Sequence, residues 1–417
     1  MTKTNRIDKV TVVANDKHAG QLLKGPQFEF SYDGKATEDA AISLVMPVRK
    51  EAYRSNTLPP IFEMNIPEGY LRQRIFERFR KHYKVDEMFF LALQGDGGIG
   101  RLRYRSDLVT QRADGGVTLS ELVESEQSQA LFENLIERYI TSTTIAGVQP
   151  KIVVPESADP GKAVINLPQL IVKAAGDEFP GLAINEFVCM SILQDAGLKT
   201  PEFYLSVDQQ LFIMRRFDLT GDGVPMGMED FCVLTNRSAD DKYHSSYEQV
   251  AKAIRLFSSQ PAQDLEDFFL SLSLSILLGN GDAHLKNFAV LYEAPGSPVR
   301  LSPWYDVVNT TVYQLNDPLA LKLNKTKDYP HRGGMVGFGT AHCRLTQKKA
   351  NELIELAISA VERGLEKYGD LIDQVRFADD FSDRTMRGEI EKGIERLKQP
   401  EKARVKIPGL KKPKRAR

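Results

Sequence analysis

The feature that most constrains this chain is the segment Gly279–Asn287, which reads Gly-Asn-Gly-Asp-Ala-His-Leu-Lys-Asn and is followed by Asp306. Asp282 and Asn287 lie five residues apart. In phosphoryl-transfer sites an Asp accepts the proton of the acceptor hydroxyl, an Asn at this spacing binds a metal ion, and a second Asp downstream binds Mg²⁺. The pattern therefore predicts Asp282 as a catalytic base and Asn287 and Asp306 as metal ligands.

A loop and a strand upstream predict a nucleotide-binding site. Small residues predominate in Thr141–Lys151, so that backbone N–H groups can approach phosphate oxygens while Lys151 adds positive charge. The apolar strand Leu170–Lys173 ends in a lysine, like the strand whose lysine contacts the phosphates in kinases. Glu186 begins the next predicted helix and is the candidate partner of Lys173. Taken one at a time, these features are equally compatible with an ordinary loop and with surface charge.

The first 140 or so residues are predicted to form a separate α/β unit. Its expected elements are strands Val10–Ala14 and Gln27–Tyr32, a helix opened by Ile66-Pro67-Glu68-Gly69 with the apolar face Leu71, Ile75, Phe76 and Phe79, and a helix Asp86–Leu93. The glycine cluster Gly95–Gly100 lacks the Lys-Ser/Thr that ends a phosphate loop, and it follows a helix instead of a strand. It therefore predicts a tight turn into the strand Arg101–Tyr104.

The back half of the chain is predicted to be mostly helical. The expected elements are helix Asn185–Asp195, strand Leu211–Met214, helix Pro261–Leu278, and helix Gln347–Leu365 with Thr346 as its cap. The helix Pro261–Leu278 ends directly before Gly279. A rigid helix can therefore fix the position of Asp282.

Composition and cysteine usage favour an ordinary soluble protein. The chain is 42% hydrophobic and 27% charged, as is typical of globular proteins. Its longest apolar stretch, Phe268–Leu278, is short and contains three serines, so no transmembrane helix and no membrane partner are expected; the N-terminus has no signal pattern. Cys189, Cys232 and Cys343 have neither disulfide-framework nor zinc spacing. The expected location is the cytoplasm.

The C-terminal tail is strongly basic. Lys402–Arg417 contains eight Lys or Arg residues and no Asp or Glu, with Pro408 and Pro413 interrupting any helix. Without these eight residues the chain has 47 basic and 56 acidic residues, so the rest of the chain carries a net negative charge. Such a tail is either a solvated terminus or an arm that binds nucleic acid or an acidic partner, and charge alone does not separate the two.

A series of short motifs in a fixed order resembles one family. The motifs are Ile66-Pro67-Glu68-Gly69-Tyr70-Leu71-Arg72, Gly95-Asp96-Gly97-Gly98-Ile99-Gly100, Ile145-Ala146-Gly147-Val148-Gln149-Pro150-Lys151, Asn185-Glu186, Arg216-Phe217-Asp218, Met228-Glu229-Asp230-Phe231-Cys232, Lys242-Tyr243, Gly281-Asp282-Ala283-His284-Leu285-Lys286-Asn287 and Tyr305-Asp306-Val307-Val308-Asn309-Thr310. Together they resemble the HipA-type serine/threonine kinases, toxins of bacterial toxin–antitoxin pairs. The resemblance extends over nearly the whole chain up to the basic tail.

The resemblance implies a role for each matching residue. The nucleotide loop would cover the ATP phosphates with Ala146, Gly147, Val148, Gln149, Pro150 and Lys151, and Lys173 would contact them. Arg215, Arg216 and Phe217 would lie at the adenine hinge; family members often carry Glu where Arg215 stands, but hinge contacts use the backbone. Asp282 would be the base, His284, Lys286 and Asn287 would complete the catalytic loop, and Asp306, beside Tyr305, would bind Mg²⁺.

The resemblance also implies regulation and partners. Such kinases phosphorylate their own nucleotide loop, which expels the loop from the site and silences the enzyme. The family's target serine falls on Thr144, with Ser142 and Thr143 as the neighbouring alternatives. The expected partner is a helix-turn-helix, HipB-like antitoxin that represses the shared operon, with operator DNA contacted through that complex and the basic tail. Some members phosphorylate aminoacyl-tRNA synthetases, but nothing in this sequence selects a substrate.

The expected fold class is α+β, a bilobal protein-kinase-like fold with an additional N-terminal α/β subdomain and a mostly helical C-terminal lobe. The expected divisions are residues 1–140, the kinase small lobe 141–260, the helical lobe 261–400 and the basic tail 401–417. Two other functions are open: a small-molecule phosphotransferase, since antibiotic phosphotransferases use a similar Asp-x-His-x-x-Asn loop, and an inactive kinase fold acting as a DNA-associated co-repressor. The N-terminal unit and the Thr-rich loop favour a protein kinase over the first. The retention of Lys173, Asp282, Asn287 and Asp306 argues against the second.

Overall fold

The computed structural model describes residues 5–108, 115–140, 149–157, 168–379 and 382–399. An antiparallel sheet begins the chain, with strands β1 (Lys9–Ala14), β2 (Lys17–Lys24), β3 (Phe28–Tyr32), β4 (Tyr53–Ser55) and β5 (Leu102–Arg105) in the order β4-β3-β2-β1-β5. Asn15 and Asp16 join β1 to β2 with φ values of 45° and 62°, which suit a tight hairpin turn. Strand β2 was not predicted because its mixed polar sequence has no period-two pattern.

Five helices complete this N-terminal unit: α1 (Pro60–Glu63), α2 (Gly69–Phe79), α3 (Glu87–Gln94), α4 (Leu119–Val123) and α5 (Ser128–Tyr139). Helix α2 begins at Gly69 with Glu68 as its N-cap residue, two residues later than the position of Pro67 suggested. The predicted apolar face holds for Leu71 and Ile75, whereas Phe76 is 45% exposed. The glycine cluster forms a turn before β5, as predicted.

A second antiparallel sheet consists of β6 (Lys151–Pro155), β7 (Pro168–Ala174), β8 (Phe203–Leu205) and β9 (Leu211–Arg215) in the order β6-β7-β9-β8. Alternating residues of its strands serve two cores. Ile152 and Val172 belong to the core of the N-terminal unit, whereas Val153 and Ile171 belong to the core of the helical part. Helix α6 (Leu182–Asp195) lies against the second face, so this sheet is covered on both sides.

The rest of the described chain is mainly helical. Its helices are α7 (Phe231–Leu234), α8 (Tyr247–Phe257), α9 (Pro261–Leu277), α10 (Arg332–His342), α11 (Gln347–Lys367), α12 (Gly369–Ile372) and α13 (Met386–Lys398). Its strands form a three-stranded sheet, β10 (Gly227–Asp230), β11 (Ala289–Tyr292) and β12 (Arg300–Leu301), and a hairpin, β13 (Arg376–Ala378) and β14 (Asp383–Thr385). Helix α9 is buried among α8, α11 and α13. The predicted cap of α11 is confirmed, because the Thr346 side chain accepts from the backbone N–H of Lys349.

Buried carboxylates fasten the N-terminal unit to the rest of the molecule. Glu229 accepts from the Ser43 hydroxyl at 2.7 Å and from the Leu44 backbone N–H at 2.8 Å. Asp218 accepts from the backbone N–H of Gly100 at 2.6 Å. Because a buried carboxylate is costly without partners, these contacts fix the position of the N-terminal unit on the rest of the molecule.

Within the described ranges, none of the helices combines the length and apolar character needed to cross a bilayer. The division into residues 1–140, 141–260, 261–400 and 401–417 stays a prediction.

Candidate active site

A cleft of about 820 Å³ lies between the second sheet and the helical part. Most of the described residues predicted for the site line it: Gln149, Pro150, Lys151, Lys173, Phe217, Asp282, His284, Lys286, Asn287, Tyr305 and Asp306. They come from β6, β7, the end of β9, the loop after α9 and the segment after β12. The fold therefore brings together residues that are far apart in sequence.

Lys173 is the charged centre of the cleft. Its Nζ lies 2.5 Å from Oε1 of Glu186 and 2.7 Å from Oδ1 of Asp306, which confirms the predicted pairing with Glu186. Burial would lower the pKa of Lys173, but Asp306 and Glu186 outweigh it and raise the pKa above its usual value. Lys151 is the cross-strand neighbour of Lys173 on β6, so two lysines face the same space. The arrangement provides fixed positive charge for an anionic ligand.

Asp306 adopts a left-handed backbone conformation with φ of 60°, which Asp tolerates better than most residues. Burial would raise the pKa of its carboxyl, but Lys173 and Lys151 outweigh burial and hold the pKa well below the usual range. The following segment is tied to α6: the Asn185 side chain donates to the carbonyl of Asn309 at 2.8 Å and accepts from its N–H at 2.7 Å. Asp306 therefore presents an ionised carboxylate to the cleft in a fixed position.

Two glycines shape the loop that carries Asp282. Gly279 has φ of 69° where α9 ends, and a Cβ atom there would lie 2.3 Å from Oγ1 of Thr311. A Cβ on Gly281 would lie 1.9 Å from Oδ2 of Asp317. The glycines that flank Asn280 are thus required for close packing at the turn. The loop that leaves the helix at this turn presents Asp282 to the cleft.

The Asp282 carboxylate accepts a hydrogen bond from the Tyr243 hydroxyl at 2.6 Å, and its backbone N–H donates to Oδ1 of Asn280 at 3.0 Å. Burial raises the pKa of Asp282 to about 6, although the Tyr243 hydrogen bond acts in the opposite direction. A carboxyl with such a pKa is a competent general base near neutral pH. Oδ1 accepts the Tyr243 hydrogen bond, which leaves Oδ2 as the less engaged oxygen of the carboxylate.

His284 and Asn287 complete the loop. Burial lowers the pKa of His284 to about 3, and the positive charge of Lys242 acts in the same direction, so the imidazole is neutral. Its Nδ1 atom is buried and has no hydrogen-bond partner among the described residues. The Asn287 side-chain N–H donates to the carbonyl of Asp282 at 3.0 Å. Its amide oxygen is therefore free to face a cation.

The residues present fit a magnesium ion. The carboxylate of Asp306 and the amide oxygen of Asn287 are hard oxygen donors, the type that Mg²⁺ prefers. The Asn287 side-chain N–H also donates to the backbone carbonyl of Asp306 at 3.4 Å, so the two residues are neighbours in the cleft. The described residues contain no cluster of three or more His, Cys, Asp or Glu that could hold a metal ion alone.

Lys286 is held by a residue of the N-terminal unit. Its Nζ forms an ion pair with Oε1 of Glu68, whose Oε2 lies 3.1 Å from Nζ of Lys242. Tyr305 donates through its hydroxyl to the carbonyl of Lys286 at 2.9 Å. Its ring lies against that of Phe217, with centroids 5.2 Å apart. The catalytic loop is therefore supported from the N-terminal unit and from the hinge side.

The side chains of two predicted hinge residues form ion pairs, and their assignment to the hinge, which concerns the backbone, stays a prediction. The Arg215 side chain pairs with Glu156 and with Glu202, and Arg216 donates to Asp218 and to the carbonyl of Gly98. Neither arginine side chain is among the described lining residues of the cleft. Phe217, next along the chain, lines it.

Part of the predicted nucleotide loop lies outside the described residues. This applies to Ala146, Gly147 and Val148, and to the predicted modification sites Thr144, Ser142 and Thr143. Gln149, Pro150 and Lys151 are described and line the cleft. The basic tail 401–417 is likewise outside the described ranges.

Sequence reasoning gave no role to Glu68, Lys242 or Tyr243, which all line the cleft. Glu68 lies 218 positions before Lys286, and a contact over that separation leaves no periodic signal. The only available signal was that both Glu68 and Lys242-Tyr243 fall inside motifs of the family resemblance.

A mixed fold with this cleft between a small sheet and a helical part defines a kinase-like α+β protein. Family models agree: the HipA-like C-terminal domain matches residues 143–365 and the HipA N-terminal domain matches residues 10–105. The chain belongs to the HipA family. The predicted fold class and family resemblance are therefore confirmed.

Individual relatives are similar over parts of the chain. The protein named Putative kinase Y4dM of Sinorhizobium fredii is 27% identical over 302 residues, 65% of this chain and 67% of that protein. A protein of Haemophilus influenzae, named Putative kinase, is 30% identical over 184 residues, 41% of this chain and 53% of its own length. The matched segments thus span about half to two thirds of these relatives.

The fold is shared with a solved structure. A chain of the Shewanella oneidensis MR-1 complex of HipA, HipB and operator DNA matches with a TM-score of 0.65 at 16% identity, covering 93% of this chain and 95% of that chain. At this identity the match shows the fold alone.

Proposed function

We propose that this protein is an ATP-dependent serine/threonine protein kinase of HipA type, acting as the toxin of a toxin–antitoxin system. The observation that carries the proposal is the arrangement of Lys173, Glu186 and Asp306 in one cleft with Asp282 and Asn287. Each group has the type and placement that phosphoryl transfer needs. Membership of the HipA family and two relatives named as kinases support the same reading.

The chemistry assigns one task to each group. The acceptor hydroxyl oxygen forms a bond to the γ-phosphorus of ATP, its proton passes to Oδ2 of Asp282, and the bond to the ADP oxygen breaks. Lys173 and Lys151 offer positive charge to the phosphates. Asp306 and Asn287 would hold Mg²⁺, which neutralises charge on the phosphates. The neutral His284 leaves the base without a competing imidazolium.

The first prediction tests this assignment. Asp282→Asn keeps the shape of the side chain but removes the base, so we expect phosphate transfer from radiolabelled ATP to fall about 10²–10⁴-fold, with an unchanged melting curve. Asp306→Asn, which removes a metal-ligand charge, should also abolish most transfer. The matched control is Asp222→Asn, at an exposed turn residue, which should retain full activity. Full activity in a folded Asp282→Asn variant would contradict the assigned role.

The second prediction concerns self-modification of the nucleotide loop. A phosphate on Thr144 would add about −1.5 to −2 charges close to bound ATP, and we expect the modified form to lose ATP affinity. Mass spectrometry of the protein and of its Asp282→Asn variant should find phosphate on Thr144, or on Ser142 or Thr143, in the active form only. Phosphate in both forms, or in neither, would argue against transfer by the enzyme itself.

We further propose a HipB-like helix-turn-helix antitoxin as partner. Support comes from family membership and from the fold shared with a chain solved in complex with HipB and operator DNA. Co-expression with the product of the adjacent gene, followed by size-exclusion chromatography, tests the pairing. A chain that elutes alone in that experiment would contradict it.

A further inference from the structure

We propose that Glu68, in the N-terminal unit, is a positioning residue for phosphoryl transfer that holds Lys286 and Lys242 at the cleft. The proposal rests on the proposed function, because positioning Lys286 and Lys242 matters for catalysis only if a phosphoryl group binds in the cleft. It assigns a task to the Ile66-Pro67-Glu68-Gly69 motif, which the catalytic groups alone leave unexplained.

The geometry is that of one carboxylate shared by two lysines. Oε1 of Glu68 pairs with Nζ of Lys286, and Oε2 lies 3.1 Å from Nζ of Lys242. The side chains of Glu68, Lys286 and Lys242 are only 20%, 10% and 13% exposed. All three residues line the cleft that contains Asp282. The cluster is therefore partly withdrawn from water and open to a ligand.

The charges in this cluster depend on one another. Burial would raise the pKa of Glu68, but Lys286 and Lys242 outweigh it and lower the pKa to about 2. The cluster thus carries one net positive charge. Without the carboxylate, two ammonium groups would face each other across the vacated space, and each would move toward water.

The two lysines are also linked through the backbone. The N–H of Leu285 donates to the carbonyl of Lys242 at 3.2 Å, so the segment of Lys242 lies directly against the catalytic loop. Glu68, the N-cap residue of α2, adds a second connection through the ion pairs of its side chain with both lysines. Displacing Glu68 would therefore move Lys286 within the loop that carries Asp282.

Glu68 differs from the other carboxylates that cross from one part of the molecule to the other. Glu63 accepts from the backbone N–H of Ala239 at 2.8 Å, and Glu229 accepts from Ser43 and Leu44. Among these three described carboxylates, Glu68 alone pairs with a catalytic-loop side chain. Glu63 and Glu229 fix the N-terminal unit, and Glu68 in addition holds the Lys286 ammonium group at the cleft that contains Asp282.

The experiment compares Glu68→Gln, which removes the charge, with Glu68→Asp, which keeps it on a shorter arm, and with Glu63→Gln as the matched control. We expect Glu68→Gln to lower kcat about tenfold or more, with partial recovery in Glu68→Asp. Calorimetry with Mg²⁺ should show weaker binding of a non-hydrolysable ATP analogue and unchanged binding of ADP, which lacks the transferred group. Glu63→Gln should stay within about twofold of the parent protein in every measurement.

Three outcomes would overturn the proposal. A folded Glu68→Gln variant with the parent's kcat and the parent's ratio of analogue to ADP affinity would show that Glu68 positions nothing. An equal loss of kcat in Glu63→Gln, or an equal loss of affinity for both nucleotides in Glu68→Gln, would show that Glu68 only docks the N-terminal unit. If Glu68→Gln does not fold, Glu68→Asp provides the same comparison. A parent protein that binds neither nucleotide would instead overturn the proposed function, and the role of Glu68 with it.

Discussion

At the scale of single residues, charges in the cleft are stabilised by opposite charges at short range. Lys173 is 2% exposed and lies between two carboxylates, and Glu68 lies between two lysines. A partly buried ion contributes to stability only while its partners are charged. Such residues therefore make the stability of the folded protein depend on pH.

The third prediction uses this dependence at Glu68. Its pKa is about 2 in the folded protein against 4.5 for a free side chain, so its contribution is present above about pH 4.5 and is lost as the pH falls toward 2. The difference corresponds to a stabilisation on the order of 3 kcal/mol. Urea unfolding of the protein and of Glu68→Gln should therefore differ most at pH 7 and converge below about pH 4.5. A difference that stays constant from pH 7 to pH 3.5 would contradict it.

Sequence analysis at this scale succeeded where a residue type and a spacing define the chemistry. The spacing of Asp282 and Asn287, and the lysine at the end of a strand, were enough to predict a site whose residues do line one cleft. The partners of the Arg216 side chain were not predicted: its guanidinium donates to Asp218 and to the carbonyl of Gly98, while its assignment to the hinge, which concerns the backbone, stays a prediction. Which partner a side chain selects depends on packing between distant segments, and a single sequence does not display it.

At the scale of elements, α6 is locked to the segment that follows Asp306. Asn185 is fully buried, and its amide both donates to and accepts from the backbone of Asn309. Glu186, the next residue on α6, pairs with Lys173. The helix that supplies the partner of Lys173 is thereby held in the position that the assembled site requires.

The fourth prediction removes this link. Asn185→Ala leaves a buried N–H and a buried carbonyl of Asn309 without partners, at about 1–3 kcal/mol each. We expect the free energy of unfolding, measured in urea, to fall by about 2–5 kcal/mol. Gln194→Ala, at an exposed position of the same helix, should change it by less than about 0.5 kcal/mol. Equal effects of the two substitutions would contradict the role of the amide pair.

The accuracy of element prediction followed the strength of the local signal. Helix α9 was predicted to within one residue because its proline start, apolar face and terminal glycine agree. Strand β2 was missed because its sequence has no period-two alternation, and its pairing with β1 and β3 stabilises it instead. Phe76 was assigned to a buried face that the tertiary packing leaves open.

At the scale of the whole molecule, the second sheet joins two cores. Leu170 and Ile213 face the N-terminal unit, whereas Phe212 and Met214 face the helical part. The two parts therefore pack against opposite faces of one sheet, which explains why charged groups of the N-terminal unit can reach the cleft. Sequence periodicity did not predict the shared sheet, because both faces of its strands are apolar.

The fifth prediction concerns the basic tail. If Lys402–Arg417 contacts DNA in a complex with the antitoxin, its eight positive charges meet phosphates and carry no sequence information. Deleting the residues after Gln399 should leave kinase activity intact, weaken binding of the complex to DNA and flatten its dependence on salt. A full-length tail with its Lys and Arg replaced by Gln should behave like the deletion. An unchanged salt slope in both variants would show that the tail only aids solubility.

The ion pairs of Glu68 also bear on how such a protein can change during evolution. A recombination event that replaced the first part of the gene would bring in a new residue opposite Lys286, while the catalytic loop stayed as it was. If Glu68 positions Lys286 as proposed, a donor without a carboxylate at this position would give a slower hybrid. Gene halves that look exchangeable as modules are in this respect inherited together.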